Sequence, residues 1–344
     1  MAREDLRATA LGFLGAAVVF ALLFTLAGVD ELVATLERAD TVGIAVVVVA
    51  TVGWLAAWSV ALRTVLGVLG VDYSAVKSFF VFAGAMFSNN ITPFGQAGGE
   101  PVTALLITKT SDAEYETGLA AIASVDTLNF VPSITLAVIG AGYYATEVTL
   151  GTNRDITAAI VAVAVLALGV PSVIYVAWQR RYRLEDRAIS ALTPKIQWVA
   201  DRAPRVSVPT AEGIERRING FFRAIERIAD NPRGLAVALA FSALGWGCQM
   251  AALWLAFRAI GVPIPLSIAL FVVPIGAIAG FTPLPGGAGG IETVLVLLLV
   301  AAPLPQVTRP VALAAVVIFR GTVYWTPTII GGVVVSLLGV NARR

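Results

Sequence analysis

Apolar residues run along this chain in blocks about as long as a bilayer is thick, separated by short polar clusters. Unbroken blocks occupy residues 9–29, 41–62, 117–145, 156–178, 234–257 and 311–338. Each suits a helix of roughly 20 residues, which crosses a hydrocarbon core at 1.5 Å per residue. Two further apolar blocks, 75–109 and 266–302, break in their middles. Their halves, roughly 12–15 residues each, reach only about half a bilayer. The pattern predicts an all-α integral membrane protein of about six transmembrane helices plus two re-entrant helical hairpins.

The two breaks read alike. Residues 92–102 run Thr-Pro-Phe-Gly-Gln-Ala-Gly-Gly-Glu-Pro-Val, and residues 282–294 run Thr-Pro-Leu-Pro-Gly-Gly-Ala-Gly-Gly-Ile-Glu-Thr-Val. Both begin Thr-Pro, pass through a glycine cluster and reach a Glu. Paired Gly/Pro-interrupted segments in corresponding halves point to a transporter binding site. Irregular backbone at membrane depth needs protein or a wet cavity around it, so the two tips are expected to meet near the midplane. The alternative is that both blocks are complete spans with glycine kinks.

Charge sets the expected orientation. With a cytoplasmic N-terminus, nineteen of the twenty-four Lys and Arg fall on the cytoplasmic side, twelve of them between Arg180 and Arg233. Only Arg38, Arg154, Arg258 and Arg309 fall outside, and Arg320 lies within a span. The positive-inside rule therefore predicts a multi-pass protein of the cell membrane with both termini cytoplasmic. Block 75–109 then opens to the cytoplasm and 266–302 to the outside. That makes residues 1–178 and 234–344 the two membrane halves of an inverted-topology repeat, joined by a basic cytoplasmic loop, 179–233.

Within that loop Ile214, Ile218, Phe221, Phe222, Ile225 and Ile228 share a helical face, with Arg216, Arg217, Arg223 and Arg227 largely opposite. Such a helix fits the cytoplasmic interface, drawn to anionic lipid; a loop that only sets topology is the other reading. At the N-terminus, Arg3 and Arg7 precede the first block, and an acidic stretch from Asp30 to Asp40 follows it in place of a cleavage site. The first block is expected to stay as a signal anchor.

Composition narrows the chemistry. The chain is 58% hydrophobic and 13% charged with mean hydropathy +0.85, against about 45–50% and 25% in soluble domains. It has no histidine and one cysteine, Cys248. Ser–His dyads, histidine-dependent phosphatases, His-ligated metalloproteases and an intrachain disulfide are excluded, and Cys248 reads as a packing residue. An Asp-x-Asp nucleotide-sugar motif is absent. The protein is expected not to be an enzyme, to use no cofactor or metal, and to bind no nucleic acid.

Charges deep in the bilayer are few: Asp126 and Arg320 within spans, Glu100 and Glu292 at the breaks. Burying Arg or Asp centrally costs about 2.5–3.5 kcal/mol each, which makes such deep charges functional candidates. Asp126 lies 26 residues after Glu100, and Arg320 lies 28 after Glu292. At such corresponding places they are expected to face each other across the central axis. The pair either fixes helix packing or opens so that Arg320 binds an anionic headgroup through its bidentate guanidinium. Asn129 shares the helical face of Asp126.

The helices expected to begin at Glu100-Pro101 and at Glu292 follow Gly98-Gly99 and Gly289-Gly290, where free N–H groups make anion sites. Either Glu caps its own helix, binds a cationic headgroup or shuttles protons. Asn89, Asn90, Thr92, Gln96 and Thr282 add neutral polar atoms, and Gly286 and Gly287, like the other tip glycines, permit close approach. Trp246, Trp254, Tyr324 and Trp325 read as packing or interface anchors.

Three stretches carry a family likeness: Ser124-Val125-Asp126-Thr127-Leu128, Pro283 to Glu292, and Arg320-Gly-Thr-Val-Tyr324-Trp325-Thr-Pro327. Over nearly its whole length the chain resembles the lysylphosphatidylglycerol synthase transmembrane, or flippase-like, family. The resemblance implies an integral membrane protein that translocates, or helps handle, lipids with modified headgroups. The family often has Glu-Arg just before the Asp motif, whereas Ala123-Ser124 precede Val125 here. Members that append an aminoacyltransferase or glycosyltransferase domain make or modify lipids. Neither domain is recognised in this sequence, so a separate partner of either kind is the corresponding expectation. Flippase-like movement of a lipid or lipid-linked precursor, with an anionic, aminoacylated or glycosylated headgroup, is the leading reading. An ion-coupled small-solute transporter and a noncatalytic partner of a glycolipid-assembly enzyme are the alternatives.

Overall fold

Long apolar runs leave the backbone one economical choice in a membrane, and the chain takes it even where Pro132 and Pro327 fall inside a helix. The computed structural model describes residues 2–92, 96–147, 178–201, 211–282, 284–302 and 304–341, with isolated positions between 168 and 176. In chain order the helices are α1 (Ala2–Ala27), α2 (Val29–Glu37), α3 (Thr41–Val68), α4 (Ala75–Ile91), α5 (Gln96–Thr110) and α6 (Tyr115–Glu147). They continue as α7 (Arg181–Asp201), α8 (Ala211–Ala229), α9 (Pro232–Ala259), α10 (Leu266–Ile278), α11 (Gly290–Ala301) and α12 (Arg309–Asn341). Two 3-10 turns, Ala279–Phe281 and Pro285–Gly287, lie between α10 and α11. Polar caps start the spans: Asp40 accepts from the Val42 and Gly43 N–H groups, Ser74 from Lys77, and Asn231 from Gly234 beside Pro232.

Four stretches are long and apolar enough to cross a membrane: Thr41–Val68, Tyr115–Gly140, Pro232–Ala259 and Arg309–Leu338. The expected first span is α1. It counts as a fifth candidate only together with α2, from which it is bent by 89°. The bend falls at Gly28, whose φ of 87° no ordinary side chain adopts cheaply. The expected span 156–178 lies outside the described residues apart from isolated positions. The protein is thus an all-helical, multi-pass membrane protein with four to five candidate spans among the described residues. Exposed apolar stripes fit this, with Leu14, Val18, Leu22 and Leu26 on α1 and Trp325, Ile329, Val333 and Leu337 on α12 recurring every fourth residue.

The packing between the two ends of the chain is reciprocal. α3 lies on α9; α4 lies on α12, and α10 lies on α6. Small residues let these helices close up: a Cβ on Gly331 would stand 2.1 Å from the Ala83 carbonyl oxygen, and one on Gly140 would stand 2.8 Å from Leu270 Cβ. Fully buried Leu55, Leu62, Phe82, Met250, Leu253 and Phe257 fill the centre.

The connector corrects one expectation. The apolar face of α8 is turned to protein, not to lipid: Ile214, Ala224 and Ile228 are buried, and Phe221 and Ile225 pack on the core. A strongly two-faced helix needs an apolar cover, and here α6 and α7 supply it. Arg217 reaches Glu116 of α6 at 3.0 Å, and Arg181 of α7 reaches Glu226 at 3.0 Å. Exposed pairs contribute little, so Arg217→Ala is expected to lower stability by less than about 1 kcal/mol. Ile228→Ala is expected to cost roughly 2–5 kcal/mol. Thermal unfolding of the two variants in detergent separates them.

Candidate functional site

A cavity of about 300 Å³ lies where helices from before and after the connector meet. Its wall is aromatic. Trp54 and Trp58, one turn apart on α3, and Trp246 of α9 stack edge to face, with Trp58 centred 5.5 Å from Trp54 and 5.6 Å from Trp246. Two of the indoles also hold the polar groups behind them. Trp58 Nε1 donates to the Ser242 carbonyl at 3.1 Å, and Trp246 Nε1 donates to the Asn129 carbonyl at 2.9 Å. The Ser242 hydroxyl donates to Asn129 Oδ1, which leaves Asn129 Nδ2 buried on the cavity wall without a partner.

Asp126, nearly one turn before Asn129 on α6, also lines the cavity and is 7% exposed. Its carboxyl comes within electrostatic reach of Glu100 on α5, yet neither of its oxygens completes a hydrogen bond of good geometry. Asn89 of α4 lies against Gly99, so close that a Cβ there would stand 1.8 Å from Asn89 Oδ1. That oxygen, too, is buried without a partner.

The second tip is fully engaged. Arg320 Nε donates to Glu292 Oε1 at 2.7 Å, and its terminal nitrogen donates to the Gly286 carbonyl at 3.1 Å. The other Glu292 oxygen accepts the Gly289 N–H at 2.6 Å, closing the start of α11. Gly286 has φ 58° and Gly289 φ 87°, values that glycine adopts at little cost. Asn90 ties this corner to α12: its Nδ2 donates to the Tyr324 carbonyl and the Thr328 hydroxyl, and Tyr324 donates back to the Asn90 carbonyl at 2.9 Å.

Several expectations change. Asp126 and Arg320 border the same cavity but do not pair, because Glu292 of the neighbouring tip already holds the guanidinium. The first tip helix begins at Gln96, so Glu100 and Pro101 sit inside α5 and do not start it. Glu292 does cap its own helix. The Thr92 hydroxyl donates to the Ser88 carbonyl, while Thr282 Oγ1 is buried without a partner. The Gln96 and Gly98 side positions lie outside the described residues. Gly287 lies against Gly280, and Gly290 lies against Thr282. Trp254 donates to the Ile264 carbonyl and Trp325 is exposed, as packing and interface residues would be. Trp246 lines the cavity, and Tyr324 is hydrogen-bonded to Asn90 beside it.

Cavity residues not foreseen from sequence include Trp54, Trp58, Ser133 and Gln249. Three of them left a signal: Trp54 and Trp58 share a helical face, and Gln249 is a lone amide in an apolar span. Among the described residues no cluster of three His, Cys, Asp or Glu is placed to hold a metal.

The arrangement can therefore hold a polar group of modest size between an aromatic wall, an acidic side and a guanidinium. The family described as lysylphosphatidylglycerol synthase TM region matches residues 9–331. The chain belongs to this family. Two UPF0104 membrane proteins of Methanothermobacter thermautotrophicus are each 26% identical to it, over 96% of this chain and 93% of one relative, and over 95% and 94% for the other. A UPF0104 membrane protein of Pyrococcus horikoshii is 24% identical over 94% of both chains. This member of the synthase TM-region family is accordingly a membrane protein of a lipid-related family.

Proposed function

We propose that the protein moves a lipid, or a lipid-linked precursor, between the leaflets of the cell membrane. The carrying observation is a cavity inside an apolar helix bundle, lined mainly by apolar side chains but bordered by the charged Asp126 and Arg320, with three tryptophans along one side. About 300 Å³ is at the small end of ligand pockets, which suits a headgroup while the tails stay in the bilayer. Arg320 is the binding group in this reading. It exchanges Glu292 for an anionic oxygen of the headgroup, whether that headgroup is further aminoacylated or glycosylated. Asp126, Glu100, Asn129, Asn90 and Thr282 complete the site, and the glycines at 98, 99, 286, 287, 289 and 290 let the backbone approach the ligand.

The same reading makes residues 1–178 and 234–344 halves of an inverted-topology repeat. Reciprocal packing of α4 on α12 and α10 on α6 supports it, as do the short α10 and α11, of 13 and 12 residues. Both termini are placed in the cytoplasm, and α4–α5 and α10–α11 are re-entrant hairpins. Exposed Arg216, Arg223 and Arg227 on α8 face anionic lipid at that surface, beside a docking place for a separate glycosyltransferase or aminoacyltransferase.

The test is leaflet exchange of tail-labelled lipids of several headgroup classes in proteoliposomes. Wild type is expected to exchange one class faster than empty vesicles, and Arg320→Ala and Asp126→Ala are expected to lose that exchange. Exchange that survives in Arg320→Ala would overturn the site. Absence of exchange in every class would favour the accessory-partner or small-solute reading.

A further inference from the structure

Each tip presents a glutamate to the helix that follows its hairpin. Glu292 meets Arg320 of α12; Glu100 meets Asp126 of α6. The two meetings correspond along the chain, at separations of 28 and 26 residues, yet their charges do not. The second tip is neutral as built. The first brings two acidic groups together, and among the described residues no Lys or Arg forms an ion pair with either.

An independent group points at the same place. Asn89 Oδ1 belongs to a side chain only 7% exposed, lines the cavity with Asp126 and has no hydrogen-bond partner. It lies on Gly99, the residue before Glu100. Buried acceptors left open in a native fold mark a missing ion, water or ligand. Here every open atom on Asp126 and Asn89 is an oxygen acceptor, the donor set of a hard cation.

We propose that Glu100, Asp126 and Asn89 bind one exchangeable small monovalent cation, sodium or a proton, in the place that the Arg320 guanidinium fills at the other tip. Helix breaks at a repeat interface are where coupling ions bind in transporters. With the cation bound, the two carboxyl groups are compatible neighbours; without it, like charges face each other and favour parting α5 from α6. Other charged groups on the surrounding helices are engaged or remote. Lys77 of α4 stands over Tyr73, Arg63 of α3 donates to the Tyr73 carbonyl, and Glu116 of α6 holds Arg217 of α8. Arg258 of α9 covers Trp254, and α10 has no charged residue. Across the cavity, Arg320 is bound to Glu292.

The test uses the purified full chain in detergent. Thermal unfolding is compared in sodium chloride and N-methyl-D-glucamine chloride of equal ionic strength, each at two pH values, alongside binding of radioactive sodium. Sodium is expected to raise the midpoint by about 3 °C or more; if the ion is a proton, acidification does so and sodium does not. In either case Asp126→Asn and Glu100→Gln abolish the response, and Glu116→Gln keeps it. Asp126→Arg, which writes the second tip's ion pair into the first, is expected to unfold at a midpoint indifferent to both ions.

If these variants do not fold, infrared difference spectra of the wild type decide. A carboxyl band that moves with sodium, or with acid above about pH 6 where exposed carboxylates are already ionised, is expected. A wild type that responds to neither ion, or a response that survives in the variants, overturns the proposal. None of these readouts needs lipid to move, so their failure leaves the transport reading standing, and the reverse holds.

Discussion

Arg320→Ala is expected to lose both lipid exchange and about 3–5 kcal/mol of stability, because it strands Glu292 as an unpaired buried charge. Glu292 is 2% exposed, and the guanidinium is its only charged partner among the described residues. The two losses have separate causes, and a second variant divides them. Arg320→Gln together with Glu292→Gln removes both charges at nearly constant volume, and an uncharged buried pair is often neutral in stability. That double variant is expected to recover most of the unfolding midpoint and none of the exchange. Recovery of both would make Arg320 a packing residue and leave the headgroup without its anchor. Arg320→Lys is expected to fall between, since one ammonium cannot reproduce the fork that reaches Glu292 and the Gly286 carbonyl together.

How far the chain could be read in advance depends on what each signal measures. Hydropathy reports burial in lipid, and so α3, α6, α9, α12 and both broken segments stand where the apolar blocks put them. It says nothing about a bend, and the 89° turn after α1 rests on the single conformation of Gly28. Sequence likeness between the tips placed Glu100 and Asp126 in register with Glu292 and Arg320. It could not say whether each glutamate reaches across the bundle or to the next helix of its own segment. The short path won at the second tip because Gly286 and Gly289 fold the chain back onto α12, bringing Glu292 within 2.7 Å of Arg320. The tryptophan wall was hidden for another reason. Trp in a membrane protein is commonest at the interfaces, whereas Trp54, Trp58 and Trp246 line an internal cavity. Likewise the amphipathic pattern of α8 announces an apolar face but not what covers it, and α6 is as good a cover as lipid.

Gly331→Val is the other substitution expected to act strongly, and its argument is steric. Gly331 of α12 lies against the backbone of α4, where a Cβ would stand 2.1 Å from the Ala83 carbonyl oxygen and 2.7 Å from Phe87 Cβ. Backbone cannot swing aside as a side chain can, so α4 and α12 must separate. Overpacking of this kind commonly costs about 1–3 kcal/mol, and contact with backbone puts this site at the upper end. The consequence reaches the cavity. Within the two preceding turns of α12, Tyr324 and Thr328 hold Asn90 of α4, and the Tyr324 ring covers Gly286. Parting the helices loosens that corner and the carbonyl that Arg320 grips. Gly321, on the same helix, has nothing within 4 Å of where its Cβ would be. Gly321→Ala should therefore be neutral or stabilising, by up to about 1 kcal/mol from helix propensity. Unfolding midpoints of the two variants in detergent are expected to move in opposite directions, with exchange lost only in Gly331→Val. Equal midpoints would mean that α4 and α12 do not pack through Gly331, and that the second half of the site is not held by this contact.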